Sequence, residues 1–171
     1  DNVRKALDAN KKCTRANMIL GDIESKQGDF PAAVAAYGAI EQQNHAYLSM
    51  VGEKLYDAYA AQEKQEEGLN VLIGYMETFP DLDLINVIYE KSLLLKGEGP
   101  AAETAVELVR RKPDLNGVYR LLGLKLSDMN PAWKADADMM RAVVGRQRQK
   151  SVMYRCRNCH FKSQVFFWHC P

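Results

Sequence analysis

The sequence has no aspartate or glutamate from Arg141 onward. That tail carries seven basic residues, Arg141, Arg146, Arg148, Lys150, Arg155, Arg157 and Lys162, while the part before it holds all 22 acids against 16 bases, a net of −6. Such asymmetry points to a partner-facing patch or an internal docking surface. Long apolar runs are missing too. No segment reaches the ~18 consecutive apolar residues of a membrane span, and no signal peptide is visible. The sequence has no nucleophile–base pair, phosphate loop or HExxH motif, so nothing points to an enzyme. Cysteine is scarce, at four residues. Three of the four sit in a Cys-x-x-Cys and a Cys-Pro, which suits a metal site in a reducing compartment better than a disulfide framework.

What is present is a repeat. Leu20-Gly21 is followed by Gly28, Ala33, Tyr37 and Ile40, the layout of a tetratricopeptide unit with Leu-Gly in helix A and packing residues in helix B. Numbered from Thr14, Gly21 is position 8, Ala33 position 20, Tyr37 position 24 and Ile40 position 27. The register returns from Ser49, from Leu82 and from Asn116, at spacings of 35, 33 and 34 residues, against about 34 for such repeats. Tyr56 and Tyr89 take position 8 in the second and third units. Ala135, Met139 and Ala142 are the expected helix B contacts of the fourth. Residues 1–13 read as the end of a preceding repeat, with Val3 and Ala6 as contacts. Pro80 and Pro113 end helices, and Pro31 and Pro131 begin them. One such unit cannot bury its apolar face alone, so the expected fold is all-α, a superhelix of stacked repeats over residues 1–150. Asp1 falls inside a helix and Pro171 inside a motif, so the sequence is expected to continue at both ends.

Helix A positions 2, 5, 9, 12 and 13 line the concave face of such stacks. They supply Arg15, Met18 and Asp22 in the first unit, Glu53 and Asp57 in the second, Glu90, Leu93 and Leu94 in the third, and Arg120, Ser127 and Asp128 in the fourth. The reading is a mixed, acid-leaning peptide groove, with Arg15, Asp22, Glu53, Asp57, Glu90 and Arg120 as partner-binding candidates. The alternative is a solvated face. Met18 and Asp22 replace the Lys and Asn of a carboxylate clamp, which argues against capture of a partner's terminal carboxylate.

Residues 151–171 form a second expected unit. Cys156-Arg-Asn-Cys159 puts two thiols on one tight turn, and Cys170-Pro171 reads as the start of a second knuckle whose last cysteine lies beyond Pro171. A structural tetrahedral site takes four ligands, at about 2.3 Å for zinc–sulfur. Cys156, Cys159 and Cys170 are therefore the candidate ligands of one ion, iron or zinc, which share four-cysteine sites. His160 stands where knuckles carry Gly, a position of positive φ. The run Cys156 to His160 also spells a haem attachment site, which leaves the Cys-Pro unexplained. Phe161, Phe166, Phe167 and Trp168 either fill the knuckle's small core or anchor a partner.

Repeats followed by YRCRNCHFKSQVFFWHCP resemble the lipopolysaccharide assembly protein B family along the whole sequence, with a rubredoxin-like knuckle at the end. That resemblance implies a cytoplasmic-side domain tethered to the bacterial inner membrane by an upstream helix. It implies an adaptor that promotes proteolysis, by a membrane-bound AAA zinc protease, of the deacetylase committing carbon to lipid A, among other inner-membrane lipopolysaccharide proteins. It carries Cys156, Cys159 and Cys170 over as metal ligands. Two rival readings stay open: a rubredoxin-like electron carrier, and a zinc ribbon binding nucleic acid through Arg146–Lys150. The latter stretch has no base-reading element beyond charge, so no nucleic-acid partner is expected.

Overall fold

A computed structural model describes residues 2–125, 130–150 and 154–169. The protein divides into two compact units, Asp1–Pro113 and Asp114–Pro171. The first unit is helical throughout. Helix α1 (Asn2–Ala9) precedes α2 (Thr14–Gln27), α3 (Phe30–Gly38) and its short continuation α4 (Ile40–Asn44). A single 3-10 turn leads to α5 (Leu48–Ala60), α6 (Gln65–Thr78), α7 (Ile85–Lys96) and α8 (Glu98–Arg111). In the second unit α9 (Leu115–Lys125) and α10 (Pro131–Lys150) are followed by a two-stranded antiparallel hairpin, β1 (Tyr154–Arg155) and β2 (Lys162–Ser163). The helices beginning at residues 14, 48, 85 and 115 follow the repeat starts read from the sequence, and the all-α repeat expectation holds.

The local stops and starts have ordinary causes. Gly28 takes φ 81°, and its N–H closes the end of α2 on the Glu24 and Ser25 carbonyls. A left-handed residue at that place costs glycine little and any residue with a Cβ more. The Asp29 carboxylate then accepts from Ala32 N–H at 3.1 Å, capping α3 from one residue ahead of it. Asn130 does the same for Ala132 ahead of α10, at 3.0 Å. Pro80 and Pro113 follow the last turns of α6 and α8.

The core of the first unit is made where helices of a pair, and of neighbouring pairs, press together. Tyr37, Ile40, Leu48, Val51, Leu55, Leu69, Leu72, Leu84 and Ile88 are all but inaccessible. Position 8 and position 24 exchange bulk from pair to pair. The first has Gly21 with Tyr37, the second Tyr56 with Leu72, the third Tyr89 with Ala105, and all six residues are buried. A Cβ on Gly21 would lie 2.4 Å from the Tyr37 ring. In the first pair position 8 therefore meets position 24. Position 20 of the second pair, Gly68, lies against Tyr59: a Cβ there would be 2.7 Å from the Tyr59 Cβ. Gly52 carries the contact between pairs: a Cβ there would be 2.4 Å from Leu84. In α1, Ala6 is exposed, and Val3 and Leu7 are half-buried; Arg4 ties the helix to buried Glu24 at 3.0 Å.

The second unit corrects the fourth repeat. Ala135, Met139 and Ala142 are exposed. Helix α10 turns inward the face of Ala137, Arg141, Val144, Gly145 and Arg148. The reason lies in Tyr119 of α9. Its ring crosses α10 at Gly145, where a Cβ would be 3.0 Å away, and the Arg141 and Arg148 guanidinium carbons lie 4.6 and 4.5 Å from its centroid. Arg141 also fills the space beside Gly123, 3.2 Å from where a Cβ would sit. A bare backbone and two stacked cations, rather than small-residue periodicity, choose the buried face.

Candidate functional site

Two features expected from the sequence fall on described residues: the Cys-x-x-Cys turn and the acid-leaning face of the A helices. At the turn, β1 runs into Cys156, whose N–H donates to the Phe161 carbonyl at 2.8 Å, while His160 N–H returns to the Cys156 carbonyl at 3.2 Å. Those two bonds close a loop over the pairing of Tyr154 with Ser163 and Arg155 with Lys162. Inside it, the Cys156 sulfur accepts the N–H groups of Asn158 and Cys159 at 3.4 and 3.5 Å. Amides aimed at a sulfur favour its anionic, metal-binding form. His160 takes φ 60°, the left-handed geometry that glycine supplies more cheaply. The turn keeps that geometry with a histidine in place, at a modest cost in strain.

These features fit a metal knuckle: two cysteines on one turn, amides directed at one sulfur, and a left-handed residue after the second cysteine. Cys170, the third expected ligand, lies outside the described residues. Among the described residues, no group of three or more His, Cys, Asp or Glu side chains converges as a metal site. Beside the turn, Tyr154, Phe166 and Trp168 pack edge-to-face in series, at 5.4 and 4.9 Å between centroids, and Phe161 meets Phe167 at 6.2 Å. They line an open cleft of about 340 Å³ that also includes Cys156. The rings hold one another, yet Phe167 is 50% and Trp168 38% exposed.

On the helical face the candidate residues take unequal places. Arg15, Glu53, Asp57 and Glu90 are exposed on α2, α5 and α7, Asp22 is half-buried on α2, and Arg120 is half-buried on α9 in the second unit. Met18 is buried and leaves the groove. Ser127 and Asp128 lie outside the described residues. Asp22 accepts from the Tyr37 hydroxyl at 2.7 Å and from Lys54 Nζ at 2.8 and 3.0 Å. Burial opposes its ionisation, but the Lys54 and Tyr37 hydrogen bonds and the nearby lysine charges outweigh it, and the carboxyl is held below its ordinary value. Burial pushes the Tyr37 phenol well up, and the bond to Asp22 adds to that.

One pair further on, Lys91 Nζ reaches Asp57 at 3.0 Å and Glu53 at 3.5 Å, with its methylene stem covered and its charge 4.9 Å from the Tyr56 ring centroid. Burial works against this ammonium, but the two carboxylates raise its pKa. Lys54 and Lys91 were not singled out from the sequence. Their signal was there: each lies 32 or 34 residues, about one repeat, beyond the carboxylate it joins. Carboxylates on this face thus help clamp one helix pair to the next, each exposed pair contributing about 0–1 kcal/mol.

Paired helices of near-constant spacing, ending in a Cys-x-x-Cys hairpin, define a helical-repeat protein with a thiol-bearing terminal element. The protein is similar along its length to lipopolysaccharide assembly protein B of Escherichia coli K12, 22% identical over 170 residues, which is 99% of this chain and 44% of the relative. It is likewise 22% identical to the protein of that name from Haemophilus influenzae over 174 residues, covering 99% of this chain and 43% of the relative. The resemblance read from the sequence is borne out at this level. The chain spans less than half the length of the curated relatives it matches. No family model matches it. Among the described residues no helix is long and apolar enough to cross a membrane.

Proposed function

We propose that this protein is part of a non-catalytic adaptor in lipopolysaccharide assembly on the cytoplasmic side of the bacterial inner membrane. In this reading its helix pairs form tetratricopeptide repeats that bind proteins, and a rubredoxin-like knuckle follows them in the sequence. The observation that carries the proposal is the similarity to lipopolysaccharide assembly protein B over 99% of the chain, through both the helix pairs and the cysteine turn. Cys156 and Cys159, with Cys170 and a fourth ligand beyond Pro171, would hold one iron or zinc ion. The ion's contribution is structural: it links two turns whose aromatic cluster is too small to fold unaided. The adaptor's clients are the membrane-bound AAA zinc protease and the lipid A-pathway deacetylase, whose proteolysis it promotes. The exposed carboxylates of the A helices supply the charged part of the contact.

The test uses the full-length protein carrying Asp57→Lys and Glu90→Lys. Co-purification with the protease and the deacetylase should fall, and the deacetylase should accumulate in cells, with helical circular dichroism unchanged. Binding and deacetylase turnover both at wild-type levels would remove the A-helix face from consideration. Four-cysteine sites take iron as well as zinc, which keeps an electron-carrier reading in play. Metal analysis showing zinc, with no reversible redox couple, decides against it.

A further inference from the structure

In the first unit cations are matched by carboxylates: half-exposed Lys54 and Arg111 by Asp22 and by Glu77 and Glu107, and the covered Lys91 by Asp57 and Glu53. Arg141 and Arg148 in the second unit differ. They lie two turns apart on α10, both against the ring of Tyr119, with Gly145 between them. Sharing one centroid at 4.6 and 4.5 Å, their guanidinium carbons are no more than about 9 Å apart. Among the described residues neither arginine is joined to a carboxylate, and the buried Nε of Arg141 donates to nothing. After Arg141 every charged side chain is basic, and Asp136 and Asp138 earlier in the same helix are exposed. Stacking on one ring explains why each arginine is ordered. It does not explain why two like charges are held together with no carboxylate joined to either among the described residues.

We propose that Arg141 and Arg148, stacked on Tyr119, form a binding site for a phosphomonoester group. A guanidinium fork matches a phosphate or carboxylate oxygen pair. One carboxylate is satisfied by one fork, and a phosphodiester carries a single charge. Two forks held together on one ring match the two charges and three terminal oxygens of a phosphomonoester. The group could belong to a soluble metabolite or to a lipid headgroup, and the experiment separates these sources.

Thermal unfolding of the whole protein is followed with inorganic phosphate against chloride at matched ionic strength, since a ligand of the native state raises Tm by mass action. Co-sedimentation is measured with phosphatidylcholine vesicles containing phosphatidic acid, a monoester, or phosphatidylglycerol, a diester. The variants are Arg148→Gln, Arg148→Lys and, as an equal charge change nearby, Arg146→Gln. Phosphate should raise the wild-type Tm. Arg148→Gln should weaken phosphate binding at least ten-fold and Arg146→Gln less than two-fold. Arg148→Lys, which keeps the charge and loses the fork, should fall between them and serves if Arg148→Gln does not fold. Binding of phosphatidic acid vesicles that depends on Arg148 assigns the site to a lipid headgroup; a phosphate effect without vesicle binding assigns it to a soluble ligand. No phosphate effect on the wild type overturns the proposal. So does equal loss in Arg146→Gln and Arg148→Gln, or single-stranded RNA binding preferred over phosphate and insensitive to Arg148, because diffuse basic charge would then suffice.

Discussion

The two units of this protein solve the problem of charge in opposite ways. In the first, acids and bases are interleaved about one repeat apart, and lysines find carboxylates across helix pairs: Lys54 finds Asp22, and Lys91 finds Asp57. In the second, the basic tail has no acid, and Arg141 and Arg148 rest on a tyrosine ring instead. Burial differs in parallel. The first unit hides residues such as Leu55, Leu72 and Ile88, while α10 buries only Ala137 and leaves Trp133, Met139, Met140 and Val143 half or more exposed. Stability should therefore be carried by apolar packing in the first unit, and by stacked rings and guanidinium groups in the second.

The sharpest break between the units should come from the cysteines. Cys156→Ser with Cys159→Ser should abolish metal binding and raise the exposure of Trp168 while sparing most helical signal. Structural zinc supplies about 10–16 kcal/mol in zinc-finger peptides. Unchanged metal stoichiometry in the double variant would contradict the assignment. Next in size, Leu72→Ala in the first core should cost about 2–5 kcal/mol in denaturant unfolding. Val143→Ala, at a half-exposed site on α10, should stay within about 0.5 kcal/mol. Equal effects would mean the two units do not differ in packing as described.

Glycine substitutions sharpen the comparison within the first unit alone. Gly21→Ala drives a methyl into the Tyr37 ring and should cost about 1–3 kcal/mol. Gly74→Ala, in the middle of α6 with nothing near the added Cβ, should stabilise by about 0.4–1 kcal/mol. A smaller effect is alkaline. Burial, then the charge of Glu41, raises the Tyr75 phenol from 10.0 to about 12. A phenol raised on folding contributes stability fully present below pH 10, lost as pH climbs towards 12. Tyr75→Phe should flatten that part of the pH–stability curve, and an unaltered slope would show that Tyr75 does not titrate with folding.

Much of this was legible beforehand because the helix pair is a local object. The near-34-residue period, the capping Gly28 and Asp29, and the prolines at helix ends depend on neighbours a few residues away, and they placed the helix pairs correctly. The cysteine turn was legible for the same reason: Cys156 and Cys159 are three residues apart, and the positive φ anticipated at position 160 is there, carried by His160. The fourth repeat was not. Its period nominated Ala135, Met139 and Ala142, yet α10 buries the opposite face because Tyr119 and Gly145 meet there.

The sequence by itself thus determined an all-helical repeat, its joints, the cysteine turn and the opposed charges of the tail and the part before it, all properties read along the chain without knowing which helices touch. Only tertiary structure decided the pairings that cross from helix to helix. It set Tyr37 over Gly21, Asp22 between Tyr37 and Lys54, Lys91 beneath two carboxylates, and two arginines on Tyr119. A repeat period says which residue lies on which face of its own helix. Which face is buried, and which charge meets which, follows from bulk and counter-charge on the neighbouring helix, and those are settled only when the helices pack.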